Sequence, residues 1–282
     1  MTARFTILGA GGTIGRALAD ALEAAGRDVT RVTRDSLAAA LASEVPAGHV
    51  IDCIGLTGDF RQRPHATAEA HVGVTAAALG ALLFDSFLFL SSTRVYARAR
   101  TTQETTPLPC LSSDPSDLYN LTKLAGEALC LADPRPSVRV ARLANVYGGD
   151  APDTFLGQLL TEGRRSGRVL IGQAPRSEKD YVSLADVVAL LPRIACEGRQ
   201  RLYNVAAGRN VRHDAIAAVL RTRGWTIRFA PGAPAIRFPP IDISRLRTEF
   251  APSLRGLLDD LPTLAATGQE VRCSPSTRPV AV

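Results

Sequence analysis

The sequence predicts an α/β fold, a doubly wound parallel sheet carrying a small C-terminal lobe. Three observations predict it. Short apolar or β-branched runs alternate with Ala/Leu-rich helical stretches through the first half of the chain. Those runs are near-continuously apolar, as strands buried on both faces must be. A glycine-rich turn follows the first run directly and opens a helix. With 282 residues, 46% of them hydrophobic, the chain has enough apolar material for one large core with a smaller lobe beside it.

In chain order, the pattern reads as strand 4–8, helix 13–25, strand 28–33, helix 35–43, strand 49–54, helix 66–83, strand 86–91, helix 117–132 and strand 137–143. Right-handed crossovers wind such a series into a Rossmann-type arrangement. The stretch between the second strand and Val50 is short, so one βα unit of larger proteins of this architecture is expected to be missing. After Asn145 the texture changes, with Gly148, Gly149, Gly163, Gly167, Gly172 and Pro175 breaking the chain into shorter segments. Strand 180–183, helix 184–195 and strand 202–205 are expected to return to the main domain. A proline-rich loop spans 231–240, a final helix lies near 253–266, and the Pro/Ser/Thr-rich tail 268–282 reads as disordered. The main domain therefore covers 1–145, completed by about 180–206, and the lobe takes 146–179 and 207–267.

Composition excludes several classes. Net charge is +6, but the basic residues are dispersed and lack interleaved aromatics, which argues against nucleic acid and suits an anionic small molecule. Five scattered cysteines without a C-x-x-C pair suggest free thiols, and the four histidines show no metal-ligand spacing. No charged-then-apolar leader or membrane-length apolar run is present, so the expected location is the cytoplasm, away from the membrane.

The strongest single motif is Gly9-Ala-Gly-Gly12-Thr13-Ile14-Gly15, placed between the first strand and the helix that starts near Thr13. Glycines there let the backbone turn tightly and approach a pyrophosphate, whose charge then rests on the helix N-terminus. The main domain thus reads as dinucleotide-binding. The second strand ends in Thr33-Arg34 where NAD-specific proteins carry an acid for the ribose hydroxyls. A cation accepts the extra phosphate of NADP, so NADP is preferred, with NAD left open by Asp35 one residue later.

Further on, the strand 86–91 runs into Ser92-Thr93-Arg94-Val-Tyr96, and Tyr119-Asn-Leu-Thr-Lys123 lies in the predicted helix 117–132. Tyrosine and lysine four apart share a helix face. A lysine there favours the phenolate and is expected to lower the phenol's pKa. The phenol can exchange a proton with an alcohol or carbonyl while hydride passes to a nicotinamide, and a strand-end serine can hold the same oxygen.

These motifs, with Arg142-Leu-Ala-Asn145-Val-Tyr-Gly148 and Lys179-Asp-Tyr-Val-Ser-Leu-Ala-Asp186, resemble the extended short-chain dehydrogenase/reductase superfamily and its NAD(P)-dependent epimerases and dehydratases, over residues 5–206 and more weakly to about 265. The resemblance implies that Ser92 and Tyr119 contact the reacting oxygen and that Lys123 binds the nicotinamide ribose. It places Asn145 where a nucleotide-sugar pocket begins and Lys179 near the substrate pyrophosphate. It also implies a homodimer through the helices 66–83 and 117–132.

Three departures narrow the reaction. The Asp-Glu pair of the sugar-nucleotide 4,6-dehydratases is replaced by Thr93 and Arg94, neither of which can shuttle protons for an elimination. Lys179 stands for an arginine, and His71 for a helix asparagine. Arg94 beside Ser92 reads either as a binder of an anionic substrate group or as half of an ion pair; Arg61, Arg63, Arg176 and Arg237 are further loop cations. The functional expectation is an oxidoreductase or epimerase that moves hydride at C4 of a nucleotide-activated sugar. The alternatives are reduction of a non-sugar ketone, or a non-catalytic nicotinamide sensor, against which the intact Tyr119–Lys123 pair speaks.

Overall fold

The computed structural model describes residues 3–56, 58–149, 151 and 153–266; the tail read as disordered and Cys273 lie outside them. Six strands form the central sheet: β1 (Arg4–Leu8), β2 (Asp28–Val32), β3 (Gly48–Asp52), β4 (Phe84–Ser92), β5 (Val138–Leu143) and β9 (Leu202–Val205), in the order β2-β1-β3-β4-β5-β9. Every pairing is parallel. Only β2 lies outside β1, so the missing βα unit is real. α2 (Leu37–Leu41), a single short turn of helix, bridges β2 to β3 in its place.

Successive side chains of the inner strands feed opposite cores, which is why those strands are largely apolar, whereas the edge strand β2 buries only Val32. Ile7, Ile51 and Leu88 stand in register and pack beneath α1 (Thr13–Ala24) and α7 (Leu184–Glu197). Leu8, Val50, Phe87 and Phe89 pack on the other side against α4 (Val74–Ala81) and Cys130 of α5 (Asp117–Ala132).

The helix expected over 66–83 begins instead at Pro64, as α3 (Pro64–Ala68), and reaches α4 through a π-helical turn at Glu69–Gly73. That wider turn carries His71, and such turns recur at functional sites.

The second half departs more from expectation. Strand 180–183 does not join the central sheet: as β8 (Glu178–Ser183) it pairs with β6 (Asn145–Tyr147) and, antiparallel, with β10 (Asn210–Arg212). The helix after it does return, α7 packing on α1 and the sheet, and β9 closes the sheet against β5. The lobe is more regular than its glycines suggested. α6 (Phe155–Ser166), α8 (His213–Thr222) and the parallel pair β7 (Arg168–Ile171) and β11 (Thr226–Phe229) enclose a core with Leu257 and Leu261 of α10 (Leu257–Ala266). The glycines serve that order. Gly163 lets the Trp225 ring lie against α6, where a Cβ would meet it at 2.0 Å, and Gly167 ends the helix at φ 66°. α9 (Ser244–Phe250) precedes the last helix, which starts later than expected.

Candidate active site

The C-terminal ends of the parallel strands gather the residues that the motifs singled out. At the first βα turn, Gly9 takes φ 77° while its N–H and that of Ala10 donate to Val32 O at 2.9 and 3.0 Å. A Cβ at Gly15 would stand 2.3 Å from Gly9 O, so helix and turn approach each other only through glycine. At Gly12, which caps α1, an added Cβ would meet only Gly9 O, at 3.4 Å. No side chain caps α1 and no acid sits in its first turn, leaving its N-terminus suited to a phosphate. Thr13 and Ile14 follow in that first turn. Arg34 is exposed past the end of β2, while Arg31 is held by Asp20 and Glu23. Among the described residues no carboxylate pairs with Arg34. This chain's backbone therefore fits a pyrophosphate, and its second strand ends in an uncommitted cation.

Deeper in, β4 delivers Ser92 and α5 delivers Tyr119 and Lys123. Both α5 residues are buried. Lys123 Nζ donates to Leu90 O at 2.8 Å, and burial pushes its pKa down to about 8 against the pull of Asp52 and Glu127. The expected lowering of the Tyr119 phenol by Lys123 is not found. Burial raises its pKa above the ordinary value, and the contacts that oppose this are the Ser92 hydroxyl and the Arg94 charge. Lys123 is turned toward the Leu90 carbonyl instead. At rest the phenol is thus a protonated donor.

His71, which replaces the helix asparagine, is part of the same cluster. The Leu56 N–H donates to Nε2 at 3.1 Å, which leaves the proton on Nδ1 for the Thr122 hydroxyl at 2.8 Å. Its ring meets Tyr119 edge-on at 5.3 Å, and burial together with Lys123 lowers its pKa to about 3, keeping it neutral.

The wall beside Tyr119 is built from separated segments. Arg94 lies over the Tyr119 ring at 5.6 Å and over Phe60 at 5.2 Å. Phe60 itself packs against Tyr119 at 5.5 Å. Thr93 is buried beside them in the turn Thr93–Tyr96. Lys179 of β8 is buried over Phe155 at 5.7 Å, its pKa lowered to about 8 by burial and by Arg94. Asn145 does less than expected for a pocket residue: it is exposed, and its amide donates to Asp180 O at 2.9 Å, fastening β6 to β8. Arg63 pairs with Asp59, while Arg176 and Arg237 are exposed.

Sequence reasoning missed Phe60, Ser116 and His213. His213 is fully buried and stacked on Phe155 at 4.3 Å. The position of Phe60 after β3, on the strand-end side where ligands bind in open α/β sheets, was the one available signal. Behind the site, Glu127 holds Arg142 through two bonds of 2.9 and 2.6 Å and accepts from Ser91 at 2.5 Å. Arg142 reaches the Tyr96 hydroxyl at 2.6 Å, which donates on to Asn204 at 2.9 Å. A cavity of about 70 Å³ between β6 and α6 is lined by Val146, Tyr147 and Gly148 of the Arg142–Gly148 motif, but by none of Ser92, Tyr119 and Lys123. Among the described residues no helix is long and apolar enough to cross a membrane.

The sequence and the fold are similar to those of known proteins. A dTDP-4-dehydrorhamnose reductase of Mycolicibacterium smegmatis is 35% identical over 164 residues, 54% of this chain and 49% of that protein, so the match spans about half of either. The solved structure of TunA, an NAD-dependent NDP-hexosamine 5,6-dehydratase, superposes with a TM-score of 0.80 at 19% identity, over 94% of this chain and 97% of its own. RMD from Pseudomonas aeruginosa, solved with NADPH, gives 0.75 at 21% identity, over 95% and 99%. At these identities the two structures establish a shared fold. The model of the NAD dependent epimerase/dehydratase family matches residues 5–206. The chain belongs to that family of enzymes.

Proposed function

We propose that the chain is an NAD(P)-dependent oxidoreductase or epimerase of nucleotide-activated sugars, moving hydride at C4. The observation that carries this is the meeting of Ser92, Tyr119 and Lys123 at the end of β4, with the glycine cradle on the same edge of the sheet. The nicotinamide supplies or accepts the hydride. Ser92 holds the C4 oxygen, Tyr119 gives it a proton or takes one away, and Lys123 anchors the nicotinamide ribose. Gly9, Gly12, Thr13, Ile14 and Gly15 hold the pyrophosphate, and Arg34 takes the 2′-phosphate of NADP. Thr93, Arg94, Asn145 and Lys179 face substrate, Lys179 toward the diphosphate.

Elimination of water is disfavoured by Thr93 and Arg94. A homodimer through α3–α4 and α5 would cover Leu121 and Leu129, each 37% exposed.

Tyr119→Phe tests the reading. Hydride transfer should fall by roughly a hundred- to ten-thousandfold, the contribution of a positioned acid, with cofactor affinity kept. Unchanged turnover would refute it.

A further inference from the structure

The wall around Tyr119 carries more positive charge than a diphosphate held by Lys179 would need. Arg94 covers Tyr119 and Phe60, and Arg61 lies over the Phe60 ring at 4.4 Å. Ser116 fastens both: its carbonyl accepts from Arg94 at 3.2 Å and its hydroxyl from Arg61 at 3.0 Å. Neither guanidinium forms an ion pair among the described residues. The acids of neighbouring segments are engaged elsewhere, Asp59 with Arg63, and Asp114 and Asp117 with Arg98.

Burial first, and the like charges of Arg61 and Lys179 with it, work against the Arg94 cation; Asp117 and Asp114 act the other way without reversing the balance, and an anion entering beside it would. The single side-chain bond of Arg94, to Ser116, leaves most of its fork free, and that fork matches a carboxylate in two parallel bonds.

We infer that Arg94, assisted by Arg61, grips a carboxylate on the reacting sugar, so that the substrate is a nucleotide-linked uronate or a related acidic sugar. This rests on the nucleotide-sugar reading and narrows it. In a hexuronate the carboxyl carbon hangs on C5, the neighbour of C4. A cation that binds it must stand beside the hydroxyl that works on the C4 oxygen, and Arg94 stands beside Tyr119. A neutral hexose would leave the half-buried guanidinium without a counter-charge in a site that has lost its water.

The experiment measures binding to the full-length protein in the presence of NADPH. UDP, dTDP and GDP are titrated first. The tightest is then compared as uronate and neutral sugar: UDP-glucuronate with UDP-glucose, dTDP-glucuronate with dTDP-glucose, or GDP-mannuronate with GDP-mannose. The uronate should bind roughly tenfold tighter or more, the scale of one charge-assisted bidentate pair. Arg94→Gln should remove most of that preference without weakening the bare nucleotide. Arg61→Gln, an exposed change that leaves the fold intact, should lower the preference in part.

Equal affinity of the wild type for both sugars overturns the inference and leaves the nucleotide-sugar reading standing. Lost affinity for the bare nucleotide in Arg94→Gln also overturns it, assigning Arg94 to the diphosphate. Failure of all three nucleotides to bind brings down both.

Discussion

The two ends of the active site are built on different principles. The proposed cofactor end is a backbone device, a single stretch of seven residues from Gly9 to Gly15 whose turn, close approach and helix N-terminus need no side chain. The proposed substrate end is a side-chain device, assembled from Phe60 and Arg61 after β3, Arg94 after β4, Ser116 before α5 and Lys179 on β8. The first tolerates change only where space remains. The second depends on charges and rings held in place by layers behind them.

The largest expected effect lies in the layer behind the substrate end. Glu127→Gln leaves Arg142 charged, buried and without its counter-ion, and should cost about 3–5 kcal/mol in chemical denaturation. An effect below about 1 kcal/mol would mean that the network is not what fixes β4 and α5.

Asp52 comes next. It is fully buried at the end of β3, accepts from Ile54 N and the Thr75 hydroxyl, and burial raises its pKa to about 6 from the ordinary 3.8. A carboxyl whose pKa is raised on folding favours the protonated folded state. Stability is therefore fully present below about pH 4 and is lost as pH rises to about 6, by about 3 kcal/mol at most. Asp52→Asn should flatten that slope and raise the melting temperature at pH 7.5 but not at pH 4; an unchanged pH profile would contradict the assignment.

A glycine pair at the cofactor end gives the smaller effects. Gly15→Ala forces a Cβ to within 2.3 Å of Gly9 O and should destabilise by about 1–3 kcal/mol while weakening cofactor binding. Gly12→Ala has room in the protein and should change stability by less than about 0.5 kcal/mol. NADPH affinity should nevertheless fall, because the added methyl would stand where the pyrophosphate is proposed to approach. Equal stability losses at both positions would erase the distinction between a steric glycine and a ligand-facing one.

The same contrast explains what could be read from the sequence. α5 was legible at both ends because sixteen residues of helical pattern lie between Ser116 and Asp133. The strands of the central sheet were legible from their continuous apolar runs. The sheet that strand 180–183 joins was not, because the short run Asp180-Tyr-Val-Ser183 signals a strand without the identity of its partner. The lobe helices were obscured by Gly157 and Gly163, whose reasons are tertiary: one admits the Ala151 carbonyl, the other the Trp225 ring. At the candidate site, spacing alone singled out Ser92, Tyr119 and Lys123. It did not single out Phe60 and Ser116, since a ring and a hydroxyl acquire their role only once Arg94 and Arg61 are folded against them. The lowering of Tyr119 expected from Lys123 was not found, because proximity along a helix does not say that the ammonium turns to Leu90 O.

The most direct test of the central claim, that this fold holds a nicotinamide cofactor for hydride transfer, is to denature freshly purified protein, identify any released nucleotide by mass spectrometry, and titrate the emptied protein with NADPH and NADH. The account predicts reversible binding with NADPH preferred, and loss of that preference in Arg34→Ala. Recovery of no nucleotide, with no binding of either cofactor, would contradict it.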